Sequence, residues 1–196
     1  MSYTIENYNE TFNDYKDILP FMRNLLPKCP IAQKYKDNIS VYVKSEATVT
    51  NQSYLNEVKY YNELKKFNVT PNLIDHALYE YKIWKSDNTS DYYTIYYNTF
   101  IVTQYCGISL LDKYYTLDEK DKYGGPGSCT KHILRNYTIF GEHFFKVPND
   151  IKCKVMDIIT LLFKNGYSCD DIHPGNFLED EHGIIRLIDL ESISKI

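Results

Sequence analysis

The sequence predicts an α+β domain, and three observations carry that prediction. Segments Leu78–Trp84 and Tyr92–Tyr105 are rich in Tyr, Ile, Val and Thr and flank the polar stretch Lys85–Asp91, the pattern of two paired strands. Ser53–Phe67 and Ile151–Asn165 instead repeat apolar residues at helical spacing. Near the end, Phe177 and Leu178, a polar Glu179–Gly183 turn and Ile184–Ile188 read as a hairpin that leaves Asp189 at a strand end.

The whole chain bounds the possibilities. Its 196 residues suffice for one hydrophobic core. A net charge of -4 gives no electrostatic footprint for nucleic acid or an anionic membrane, so neither is an expected partner. Cys29, Cys106, Cys129, Cys153 and Cys169 form no C-x-x-C pair and are odd in number, which fits reduced thiols better than disulfides or zinc. With a polar, acidic start and no apolar span, the chain is expected in a reducing cytosol, a host's if it is viral or an effector. The 20 tyrosines and the many Asn, Lys and Ile suggest an AT-rich coding sequence.

In chain order, Thr11 is placed to cap a helix running to about Leu26, with Pro20 expected to kink or divide it and Pro27 and Pro30 to end it. Ile31–Tyr35 and Ile39–Lys44 read as strands joined by Lys36-Asp37-Asn38. In Ser53–Phe67 the residues Tyr60, Tyr61, Leu64 and Phe67 define an apolar face that also contains Glu57, a carboxylate aimed inward that needs a partner. Lys44 is the expected mate, and Glu63 is the rival carboxylate for it. Pro71 makes Asn68–Asn72 a loop, and Ser109–Tyr115 opens a further helix. Tyr123–Ser128, with three glycines, is a loop; no strand-then-helix pattern or G-K-S/T accompanies it, which argues against a phosphate loop. His132 and His143 lack metal-ligand spacing and read as surface or packing residues. Asn149 or Asp150 is expected to cap Ile151–Asn165, and Gly166 to end it.

The most specific chemistry lies in Tyr167–Ser192, YSCDDIHPGNFLEDEHGIIRLIDLES. Asp171 and Asn176 stand as D-x-x-x-x-N, followed by the hairpin and by Asp189 in I-D-L. Asn176 and Asp189 are hard oxygen donors suited to Mg²⁺, which keeps several waters and takes few carboxylates. Asp171, on the same loop as Asn176, is suited to act as a base beside the metal. The bland alternative is a solvated turn followed by an ordinary hairpin.

This constellation resembles the catalytic core of the protein-kinase-like superfamily. The resemblance covers residues 31–192 and implies a minimal two-lobed fold with a truncated C-terminal lobe: a small lobe over residues 1–105 and a reduced large lobe over 106–196. It implies ATP and Mg²⁺ as cofactors, Asp171 as base, and Asn176 and Asp189 as Mg²⁺ ligands. Val41-Tyr42-Val43-Lys44 is similar to the V-A-I-K strand whose lysine contacts the phosphates and pairs with a helix glutamate, here Glu57. Phe100–Gly107 resembles the last small-lobe strand and hinge, so that backbone groups of Gln104, Tyr105 and Cys106 would meet the adenine and Thr103 would gate the pocket behind it.

Several letters depart from the pattern. Cys169-Asp170-Asp171 stands where His-Arg-Asp is common, and Asp189-Leu190-Glu191 where Asp-Phe-Gly is common. D-I-H-P-G-N and I-D-L-E resemble the aminoglycoside- and choline-kinase branch, with His173 where protein kinases often carry Lys. No glycine precedes Gly107, so no glycine-rich loop lies upstream of Lys44, and phosphate grip would fall to Lys34, Lys36, other backbone or the metal. The sequence ends seven residues after Asp189, short of an activation segment or a substrate subdomain. The leading expectation is an atypical kinase acting on a protein hydroxyl, followed by a partner-binding pseudokinase and then a small-molecule kinase.

Overall fold

The computed structural model describes residues 2–8, 15–86, 91–124 and 127–196. The chain is α+β and divides into two compact units, Met1–Val58 with Asn72–Tyr105 and Lys59–Pro71 with Cys106–Ile196. Among the described residues no helix is long and apolar enough to cross a membrane.

The first unit contains strand β1 (Ser2–Tyr8), helices α1 (Tyr15–Leu25) and α2 (Pro30–Tyr35), strand β2 (Val41–Thr48), the first half of helix α3 (Gln52–Leu64), and the long strands β3 (Leu73–Ser86) and β4 (Asp91–Gln104). The sheet order is β1-β3-β4-β2, with β1 parallel to β3 and the other pairs antiparallel. Alternation along β3 and β4 sends Ala77, Tyr79, Tyr81 and Ile83, with Tyr96, Phe100 and Val102, to one face, where they pack with the fully buried Ile18 and Met22 of α1. Asn98 lies in this core and donates from Nδ2 to the Met22 carbonyl at 3.1 Å, which ties helix to sheet through a buried polar bond.

Three expectations are corrected here. Ile31–Tyr35 is helical, because Pro30 occupies the first helical position, where its fixed φ suits a helix and its missing N–H is not needed. Ile31 and Tyr35, four residues apart, thereby turn onto the core together. Pro20 does not divide α1: it lies on the exposed side, while Ile18 and Met22 on the other side are completely buried. The strand expected over Ile39–Lys44 starts at Val41 and runs on to Thr48. The proposed cap Thr11 and the centre of the turn between β3 and β4, residues 87–90, lie outside the described residues.

The second unit holds the end of α3, strand β5 (Ile108–Ser109), helices α4 (Leu110–Tyr114), α5 (Leu117–Tyr123), α6 (Thr130–Arg135), α7 (Tyr137–His143) and α8 (Asn149–Lys164), and strands β6 (Tyr167–Cys169), β7 (Phe177–Glu179), β8 (Ile185–Leu187) and β9 (Ile193–Lys195). The strands form sheets β5-β7-β8 and β6-β9. Ser109 caps α4 by accepting the Asp112 N–H, and Thr116 with Glu119 makes a capping box for α5. Helix α8 buries Ile151, Val155, Ile158, Ile159 and Leu162 along one face. Its cap is Pro148, not Asn149 or Asp150; the Pro148 carbonyl takes the Lys152 N–H at 2.9 Å and the helix starts with Asn149. Gly166 ends α8 at φ +83, donating to the Phe163 carbonyl. No disulfide links the five cysteines.

On the sheet face away from α1, the Tyr54 hydroxyl of α3 lies 2.7 Å from His76 Nδ1 on β3. Burial holds the His76 imidazole below its usual value against the pull of Asp75, and pushes Tyr54 up to about 12. A histidine whose folded pKa is depressed takes up its proton first in the unfolded chain, so its contribution to stability is complete above about pH 6.5 and is lost as pH falls below it. The melting temperature is therefore expected to drop on acidification from pH 7 to 5, and less steeply in His76→Asn. Equal slopes for both proteins would refute this assignment.

Candidate functional site

In the second unit, β6 delivers the chain to Asp171 along a fixed track. Thr130 Oγ1 accepts the Cys169 N–H at 2.9 Å and donates to the Cys169 carbonyl at 3.0 Å, while the Asp170 N–H reaches Ser192. Ile172 then exchanges both backbone bonds with Ser128. Between these anchors the Asp171 side chain, 35% exposed, receives N–H groups at both oxygens. Gly127 N–H donates to Oδ1 at 2.5 Å. Asn176 Nδ2 lies 3.4 Å from Oδ2 and 3.0 Å from the Asp171 carbonyl.

His173 supplies the third contact. Its Nδ1 accepts the Gly175 N–H at 3.1 Å, so in the neutral ring the proton sits on Nε2, which faces Asp171 Oδ2 at 3.5 Å. Burial keeps this imidazole below its ordinary value, against the opposing pull of Asp171 and Asp189. Nε2 is thus the His173 nitrogen that faces Asp171.

Asn176 is buried in the 3-10 turn Pro174–Asn176. With Nδ2 turned to Asp171, its Oδ1 is left as an oxygen donor for another group. The Asn176 carbonyl accepts the Ile188 N–H at 2.9 Å, which ties this turn to the residue preceding Asp189. Asp189 itself adopts a left-handed backbone, φ 58 and ψ 64, a conformation that Asp and Asn tolerate better than most side chains. An amide oxygen and a carboxylate suit a hard cation such as Mg²⁺, which takes few protein ligands. Among the described residues no group of three His, Cys, Asp or Glu side chains is placed to cage a metal.

The hairpin between them is more extensively bonded than its sequence suggests. Glu179, expected in the turn, is instead the last residue of β7, buried and bound to Lys113 Nζ at 3.0 Å and the Tyr114 hydroxyl at 2.8 Å. The turn is made by Asp180, whose Oδ1 accepts the N–H groups of His182 and Ile184, both at 2.9 Å. Gly107, at φ +103, runs so close to the Glu179 carbonyl that a Cβ there would lie 2.1 Å from it.

In the first unit, Lys44 Nζ meets Glu57 Oε2 at 2.8 Å on the sheet face away from α1. Glu57 is 2% exposed, as its place on the apolar helix face predicts. The rival carboxylate, Glu63, is bound in the second unit by Lys195 and the Tyr167 hydroxyl, each at 3.1 Å. Lys34 is held by Asp75 at 2.7 Å. Thr103 is buried opposite Tyr42. The Gln104 N–H is taken by the Asn72 carbonyl and the Tyr105 N–H by that of Ser40, both at 2.9 Å. Burial pushes the Cys106 thiol up.

The structure thus brings Asp171, His173 and Asn176 into contact, fastens the segment leading to Asp189 onto Asn176, and pairs Lys44 with Glu57. Sequence reasoning missed Gly127, Ser128 and Thr130. The signal available was the glycine cluster itself, which permits close backbone approach without being a phosphate loop.

No family model matches this chain, and no curated protein matches it. Solved structures of WbdD resemble it distantly. A co-crystal structure of WbdD with the kinase inhibitor LY294002 aligns at TM-score 0.44 and 16% identity over 80% of this chain and 29% of the other. Monomeric WbdD aligns at TM-score 0.44 and 17% identity over 79% and 31%. A structure of the bifunctional kinase-methyltransferase WbdD gives TM-score 0.41 and 16% identity. This chain spans less than a third of the length of those proteins.

Removing Lys44 while Glu57 stays buried deprives a desolvated carboxylate of its ammonium. Because Lys44 is a third exposed, Lys44→Met is expected to destabilise the fold by about 1–3 kcal/mol in urea titration, below the full cost of breaking a buried pair. Adding Glu57→Leu is expected to recover most of it. A double variant no more stable than Lys44→Met would contradict this account.

Proposed function

We propose that this chain is an ATP- and Mg²⁺-dependent phosphotransferase with a kinase-like arrangement, passing the γ-phosphate to a hydroxyl carried by a protein. The observation that carries this reading is the Asp171–Asn176 loop: a carboxylate oriented at both oxygens, beside an amide whose oxygen faces away from it. Asp171 accepts the proton of the acceptor hydroxyl as its oxygen bonds to the γ-phosphorus and the bond to the departing ADP breaks. Asn176 and Asp189 would hold Mg²⁺, which supplies charge neutralisation on the phosphates when bound. Lys44, kept in place by Glu57, supplies a cation for phosphate oxygens. The N–H groups of Gln104 and Tyr105 are taken by the Asn72 and Ser40 carbonyls, so any backbone contact of Gln104–Cys106 to the adenine would fall to other groups of that segment. The partial exposure of Asp171 suits an acceptor too large to enclose.

A second reading, a pseudokinase that binds a partner and transfers nothing, is favoured by the lack of any glycine before Gly107. The letters D-I-H-P-G-N keep a small-molecule acceptor as the third.

ATP with Mg²⁺ is expected to raise the melting temperature of the wild type, since a ligand selective for the folded state stabilises it. Asp189→Asn, which keeps the left-handed backbone accessible, is expected to abolish that shift. Asp171→Asn is expected to keep the shift and to lower phosphate transfer from γ-labelled ATP by roughly 100- to 10,000-fold. No shift at saturating nucleotide would overturn the kinase reading in favour of the partner-binding one.

A further inference from the structure

We propose that Gly127 is a positioning residue for Asp171: the turn it opens is a backbone clamp that fixes the direction in which the carboxylate faces its acceptor. This rests on reading Asp171 as the base. The segment Gly127–Thr130 lies along Cys169–Ile172 and bonds it at every step but one. Gly127 N–H holds Asp171 Oδ1, Ser128 exchanges N–H and carbonyl bonds of 3.1 and 2.9 Å with Ile172, and the Thr130 hydroxyl takes both backbone groups of Cys169. A Cβ at position 127 would lie 2.4 Å from the Ile172 carbonyl carbon and oxygen and 2.6 Å from its nitrogen. Glycine is what lets the two backbones approach closely enough for the N–H to reach the carboxylate.

The donor's identity matters. His173 and Asn176 both address Oδ2 at 3.5 and 3.4 Å, and contacts that long leave the carboxylate some freedom about its last torsion. The bond from Gly127 to Oδ1 removes that freedom, and a main-chain donor has no rotamer to lose. The clamp does not plug the site, because the Asp171 side chain stays 35% exposed with the bond in place.

The decisive variant replaces Gly127 by glycolic acid through suppressor-tRNA incorporation, exchanging its N–H for an ester oxygen with no change of shape. The kcat for phosphate transfer is expected to fall about tenfold or more, as for a misaimed catalytic group. The KM for ATP and the thermal shift with ATP and Mg²⁺ are expected to stay at wild-type values. Gly127→Ala, which has no room, is expected to lose more; Gly141→Ala, whose added Cβ meets nothing within 4 Å, is expected to lose nothing. An ester variant with wild-type kcat would overturn the proposal.

A readout independent of activity separates this from failure of the kinase reading. The chain has only 8 glycines, so nitrogen labelling of glycine alone gives a sparse amide spectrum. The Gly127 amide proton is expected far downfield and to move upfield in Asp171→Asn. No response would overturn the clamp. A response in a protein that transfers no phosphate would uphold the clamp and sink Asp171 as a base.

Discussion

A carboxylate that is only partly exposed holds one orientation when donors reach both of its oxygens, and at Asp171 the Gly127 N–H and the Asn176 amide do so, with the His173 ring 3.5 Å away. Gly127 comes from the turn before α6, His173 from the loop itself, and Asn176 from the 3-10 turn that follows. Each needs its own support. Thr130 and Ser128 hold the first segment against β6, the Gly175 N–H fixes the tautomer of His173, and the Ile188 N–H fastens Asn176 to the far arm of the hairpin. The Lys113 and Tyr114 contacts to Glu179 then hold the hairpin against α4.

The first unit works by a different division of labour. One sheet face is filled with Tyr79, Tyr81, Tyr96 and Phe100 beneath α1, where apolar burial dominates. The opposite face carries Lys44 and His76, and the start of α3 is tied to it through Glu57 and Tyr54. A helix attached by directional bonds at its outset is held in register as well as in place, which apolar contact alone does less well.

Much of this was legible in the sequence. Glu57 stood out because a carboxylate on an apolar helix face needs a cation, and Lys44 was the cation one strand away. The terminal hairpin and α8 were equally visible from spacing. What stayed hidden has physical causes. Ile31 and Tyr35 have strand-like side chains, yet Pro30 starts a helix with them. Glu179 looked like a turn residue because its partners, Lys113 and Tyr114, are distant in sequence. The short helices α5 to α7 have too few turns to show a period. Gly127 acts through its main chain, so no side-chain letter could announce its role beyond the glycine itself.

Strand β6, which leads into the loop, pairs with β9, which follows Asp189, and between them β7 and β8 pair with each other. Asp171, His173, Asn176 and Asp189 all lie inside this nested closure. Opening either pair would therefore expose the whole loop, so local unfolding at this end of the chain bears on all four residues at once.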